Sequence, residues 1–168
     1  SFLYEQHNFN VAAMGLVTSL PYFVGILALL LGGWLVDKYG AVKITIAFAF
    51  AAMIPILYLI ATVPSVVESL IPLVVLLGFF SHLSWTPIYS YQIRRYPREI
   101  VGTAAGISSG IGMLGGFVSP LLAGYLVVQS GGGYSFHYVF IFLMAIAALS
   151  AATALLLRED RFGPAPPR

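Results

Sequence analysis

Apolar runs of roughly 20 residues recur along the chain at 11–36, 42–62, 70–91, 101–128 and 138–157, and short polar connections divide them. Each run is long enough to cross a hydrocarbon layer about 30 Å thick as a helix. The pattern predicts an all-α, polytopic bundle of five transmembrane spans. Prolines fall inside four of the runs, at Pro21, Pro55, Pro72 with Pro87, and Pro120. They do not argue against helices, because membrane helices have neighbours and hydroxyl groups that satisfy the carbonyls a proline frees.

The runs differ in what they carry. Runs 42–62 and 138–157 are apolar nearly all round and suited to face lipid. The other three carry glycines, hydroxyls and a histidine, which need protein or water around them at membrane depth, so they are expected to face the interior.

On the first run Gly15, Thr18, Tyr22, Gly25, Leu29, Gly32 and Gly33 gather on about one third of the circumference. Either Thr18 and Tyr22 lie beside a substrate path, or the glycines bring two helices together while Thr18 bonds a carbonyl freed by Pro21. On the third run His82, Trp85, Thr86 and Tyr89 share an arc of about 100°, with Gln92 at its margin. His82 is the one conventionally ionisable side chain inside any run. It either carries a proton or meets an anion, or it donates to a backbone carbonyl and holds two helices together. Trp85 and Tyr89 either line a path or anchor the helix at the interface.

The fourth run is smooth. Gly102, Gly106, Gly110, Gly112, Gly115, Gly116 and Gly124 alternate with Ser108, Ser109, Ser119 and Pro120. The fourfold spacing of Gly106 with Gly110, and of Gly112 with Gly116 and Pro120, predicts close helix packing. Ser109 is a further candidate for the path.

Composition supports the membrane reading: 60% of residues are hydrophobic and 8% charged, with a mean hydropathy of +0.94. A soluble domain carries about a quarter charged residues. All eight Lys and Arg (Lys38, Lys43, Arg94, Arg95, Arg98, Arg158, Arg161, Arg168) lie in or beside segments 37–41, 92–100 and 158–168. The alternate segments 1–10, 63–69 and 129–137 hold none. By the positive-inside rule the first set is cytoplasmic. Residues 1–10, without a basic n-region, are expected to be the extracytoplasmic end of a preceding helix or loop, so that the chain is entered midway. Residues 11–157 form the transmembrane domain, and the Pro-rich 158–168 a cytoplasmic tail.

Cysteine is absent, and neither metal nor cofactor is expected. No H-E-x-x-H string and no carboxylate occur within a run, so an enzyme is not expected. The basic residues form no continuous stripe, which excludes nucleic-acid binding.

The loop after the first run reads Gly33-Trp34-Leu35-Val36-Asp37-Lys38-Tyr39-Gly40-Ala41-Val42-Lys43. It resembles the G-x-x-x-D-[RK]-x-G-[RK]-[RK] signature of the major facilitator superfamily, with Ala41 and Val42 departing from the basic pair. Physically, Gly33 lets a helix approach, Asp37 pairs with charge at a helix end, Lys38 marks the cytoplasmic side and Gly40 permits the tight turn. The Gly106 to Gly124 stretch with its late Pro120, and the lead-in from Arg95 to Gly106, resemble the family's eleventh helix.

The resemblance implies that the spans are helices eight to twelve, in the C-terminal six-helix half, with the two all-apolar helices, nine and twelve, at the periphery. It implies a multi-pass protein of the plasma or bacterial inner membrane whose partners are the lipid bilayer, an N-terminal half and a small-molecule substrate. The function expected from it is secondary transport by alternating access, in which the signature loop serves as a cytoplasmic gate. A general similarity to anion:cation symporters points to an organic anion moved with a proton, and sugar or drug transport is the alternative. A free-standing five-helix packing or regulatory subunit is the rival from another class.

Overall fold

The computed structural model describes residues 11–62, 67–130 and 133–157. The expected outer segment 1–10 and tail 158–168 lie outside the described residues. In chain order the elements are α1 (Val11–Tyr39), α2 (Val42–Thr62), α3 (Val67–Leu83), α4 (Trp85–Arg95), α5 (Val101–Leu126), β1 (Val128–Ser130), β2 (Gly133–Ser135) and α6 (His137–Leu155). Five stretches among them are long and apolar enough to span a membrane, with α3 and α4 together forming the span Ser69–Arg95.

Two differences from the hydropathy reading have local causes. The third run is not one helix but breaks at Ser84, whose φ of −78° and ψ of −19° depart little from helical values. Pro87 has no N–H to return to Leu83, so the ladder loses a bond at this turn. The Ser84 hydroxyl donates to Ser81 O at 2.9 Å within the same turn, and Leu83 O stays without its helical donor. The connection read as loop, 129–137, contains an antiparallel hairpin pairing Val128 with Ser135 and Ser130 with Gly133. It lies outside the spans, which remain all helical.

The turn from α1 to α2 takes only Gly40 and Ala41. Gly40 adopts φ +63°, the left-handed conformation that a side chain disfavours. Its N–H bonds Val36 O at 2.9 Å, closing the end of α1 and letting α2 begin at Val42.

Helix α2 is the hub. Ala49 packs with Ala28 of α1 and Leu83 of α3. Val42 and Ile46 pack with Val36 and with Ala154 of α6. Ile56 and Ile60 meet Leu70 of α3, with Phe140 of α6 against them. Only the opposite stripe, including Ile44, Phe48 and Tyr58, stays exposed. The expectation that this helix faces lipid therefore applies to one side alone. Helix α5, expected to face the interior, has no buried residue in this chain.

Candidate functional site

Helices α1 and α3–α4 approach one another through small residues. Gly78 lies directly against Pro21, and a Cβ at Gly25 would stand 2.8 Å from Cγ of His82. A Cβ at Gly32 would stand 2.7 Å from Leu83 O, the carbonyl left without its helical partner by Pro87. Thr86 Oγ1 adds a cross-helix bond to Leu29 O at 3.0 Å. The glycine stripe of α1 is thus a packing surface at Gly25, Gly32 and Gly33, the last facing the Thr86 methyl group.

His82 belongs to this interface. Its Nδ1 donates to Gly78 O at 2.8 Å, and Tyr22 meets the ring edge-on with centroids 5.8 Å apart. The side chain of Thr18 lies outside the described residues. The arc that joined His82, Trp85, Thr86 and Tyr89 on paper is divided in space. His82 and Thr86 turn to α1, whereas Trp85 and Tyr89 turn to α5.

Between α4 and α5 lies a cleft of about 320 Å³ lined by Trp85, Ile88, Tyr89 and Gln92 on one side and Ser108, Ser109, Gly112 and Met113 on the other. Tyr89 Oη and Ser109 Oγ are 3.4 Å apart, and Gln92 Nε2 donates to Ser108 Oγ at 2.8 Å. Trp85 and Tyr89 present tilted rings with centroids 6.2 Å apart. The cleft offers two aromatic faces, an amide and three hydroxyls within a largely apolar wall, a combination suited to a small solute with an apolar body and a few polar groups.

Gln92 and Ser108 were the less visible partners in the sequence. Gln92 follows Tyr89 by three residues and Trp85 by seven, so the helical period places it on their face.

Gly106-Ile107-Ser108-Ser109-Gly110 also fits the G-x-S-x-G string of serine hydrolases, but it lies inside α5 rather than on a strand-to-helix turn. Ser108 is bonded to the Gln92 amide, not to a histidine or carboxylate.

At the cation-bearing end, the signature loop surrounds a shallow space of about 670 Å³ that Leu30, Trp34, Asp37 and Thr86 help to line. Asp37 pairs with Arg94 of α4 at 3.3 Å. With Asp37 82% exposed, water screens the pair and it adds little stability. Lys38 Nζ sits 4.7 Å from the Trp34 ring centre.

A Cβ at Gly102, Gly106, Gly110, Gly112, Gly115, Gly116 or Gly124 would meet nothing within 4 Å. The glycines of α5 are thus open to added side chains among the described residues, whereas Ser108 and Ser109 of the same helix turn to α4.

The Major Facilitator Superfamily profile matches residues 1–168. The D-galactonate transporter of Escherichia coli is 26% identical over 95% of this chain and 37% of its own length. The niacin transporter of Acinetobacter baylyi is 30% identical over 93% of this chain and 33% of its own length. The gentisate transporter of Corynebacterium glutamicum is 29% identical over 75% of this chain and 28% of its own length. The chain spans about a third of the length of these curated relatives. No solved structure matches it significantly.

Proposed function

The chain belongs to the major facilitator superfamily, and from that premise we propose that it forms one wall of a secondary transporter that carries a small organic acid across a membrane by alternating access. The observation that carries the proposal is the α4/α5 cleft, where Trp85 and Tyr89 face Ser108 and Ser109 across a volume of about 320 Å³. The substrate class draws on the relatives, whose names are those of transporters of D-galactonate, niacin and gentisate.

In this reading α1 to α4 move as one body, held by the glycine contacts and the Thr86 bond. Helix α5 shifts against it, since the Tyr89–Ser109 and Gln92–Ser108 bonds are its polar ties to α4. The open glycine face of α5 and the exposed Tyr22 and Phe23 of α1 receive the N-terminal half of the transporter. That half supplies the cation for the substrate carboxylate, because no Lys or Arg is among the residues that line the cleft. The end bearing Lys38, Arg94 and Arg95 faces the cytoplasm of a plasma or bacterial inner membrane, and Gly33, Asp37, Lys38 and Gly40 gate it. A proton is carried inward with the acid, and the second nitrogen of His82 is its local acceptor.

The test is uptake of radiolabelled organic acids into vesicles containing the complete transporter under an imposed pH gradient. Trp85→Ala and Ser109→Leu are expected to lower uptake at least about tenfold, the loss of one or two well-placed contacts. Wild-type rates in both folded variants would remove the cleft from the path.

A further inference from the structure

One polar group bordering the cleft is left half used. Gln92 is 8% exposed, and while its Nε2 donates to Ser108, its Oε1 is buried and has no partner among the described residues. The other buried polar side chains do not share this condition. Thr45 closes on Ala41 O at 2.6 Å and Ser84 on Ser81 O at 2.9 Å, each within its own turn. A buried amide end without a partner is costly wherever water is scarce.

Turning the amide over does not cure the deficit. Oε1 would then accept from Ser108 and Nε2 would stand alone. A carboxylate can serve only the nitrogen and an ammonium only the oxygen, whereas a hydroxyl donates or accepts and completes the amide in either orientation. Gln92 lines the cleft with Trp85 and Tyr89 and, on its other side, a second space with Tyr91, Ser150 and Thr153; a ligand hydroxyl that reaches the amide from the cleft leaves the ligand's apolar body against the two rings.

We propose that Gln92 is a selectivity residue that recognises a hydroxyl on the transported acid and discriminates against the same acid without it. The inference rests on the transport reading above. It follows the asymmetry of buried polar sites: an added hydroxyl is tolerated by an apolar pocket, but a missing one leaves a built amide unpaired.

The experiment compares initial uptake of matched acids, 4-hydroxybenzoate with benzoate and 3-hydroxybutyrate with butyrate, by the complete transporter in proteoliposomes. The hydroxylated member is expected to be favoured at least about tenfold in one pair or both. Gln92→Met, close in size but without the amide, is expected to bring that ratio towards unity by slowing the hydroxylated acid and sparing its partner. Gln92→Asn, with its amide one carbon short, is expected to give an intermediate ratio, and it carries the test if the Met variant is not monodisperse in detergent. A wild-type ratio near unity, or a ratio unchanged in the folded variants, overturns the role of Gln92 while transport stands. Uptake of none of the four acids would overturn the transport reading and this inference with it.

Discussion

His82 shows how one side chain can answer two expectations. A bond of 2.8 Å to Gly78 O requires the hydrogen on Nδ1, so Nε2 keeps its lone pair for a proton. The ring itself is fixed by contact with Gly25 and the edge of Tyr22. Composition and helical period could not separate a structural tie from a proton carrier, because both use an imidazole at membrane depth. In the structure the bond stays within α3, at the i−4 carbonyl, and His82 meets α1 by packing alone, on Gly25 and Tyr22. His82→Gln preserves a donor for Gly78 O but removes the protonatable nitrogen. In the complete transporter it is expected to keep solute exchange and lose uphill, proton-driven uptake, measured as accumulation against a gradient. Full proton-driven accumulation in that variant would exclude His82 from coupling.

Two helices carry similar glycine stripes and use them differently. On α1, Gly32 meets the backbone of Leu83, which cannot swing away as a side-chain end could. On α5, Gly106 meets nothing within 4 Å. Gly32→Ala is therefore expected to destabilise the protein by about 1–3 kcal/mol through overpacking, seen as a lower apparent melting temperature in detergent. Gly106→Ala removes no contact in this chain and favours the helix by up to about 1 kcal/mol, so a melting temperature of the complete transporter that falls instead reports the N-terminal half packed on this face. The spacing of small residues identified both surfaces, but spacing alone cannot say which surface is covered. Coverage depends on the shape of the facing helix, here the Gly78, His82 and Pro87 side of α3–α4. The same limit applied to α2, whose apolar composition is uniform around the helix and gave no sign that one side holds the core together.

At the scale of the whole molecule, the cations divide the connections of the sequence into two sets, and among the described residues two of the cation-bearing connections meet through Asp37 and Arg94. This part of the transporter has no cysteine, so a single replacement within it adds one thiol, read against the unsubstituted protein. Arg98→Cys and Ser69→Cys lie at exposed positions near opposite ends of the span Ser69–Arg95. A membrane-impermeant maleimide is expected to label Ser69→Cys on intact cells and Arg98→Cys only after the membrane is opened. The reverse pattern would invert the orientation argued from charge.

What the sequence determined alone is what lipid imposes locally. Each span must satisfy its own backbone within one helix, so the lengths of the apolar runs, the cation-bearing connections and the Gly40 turn could be read without knowing any neighbour. The tertiary structure alone decided which faces meet: His82 and Thr86 against α1, Trp85 and Tyr89 against α5, and Gln92 paired at one end only. The physical reason is that helices in lipid gain little by hiding apolar surface from one another, so their contacts follow shape and a few polar bonds between segments distant in the chain.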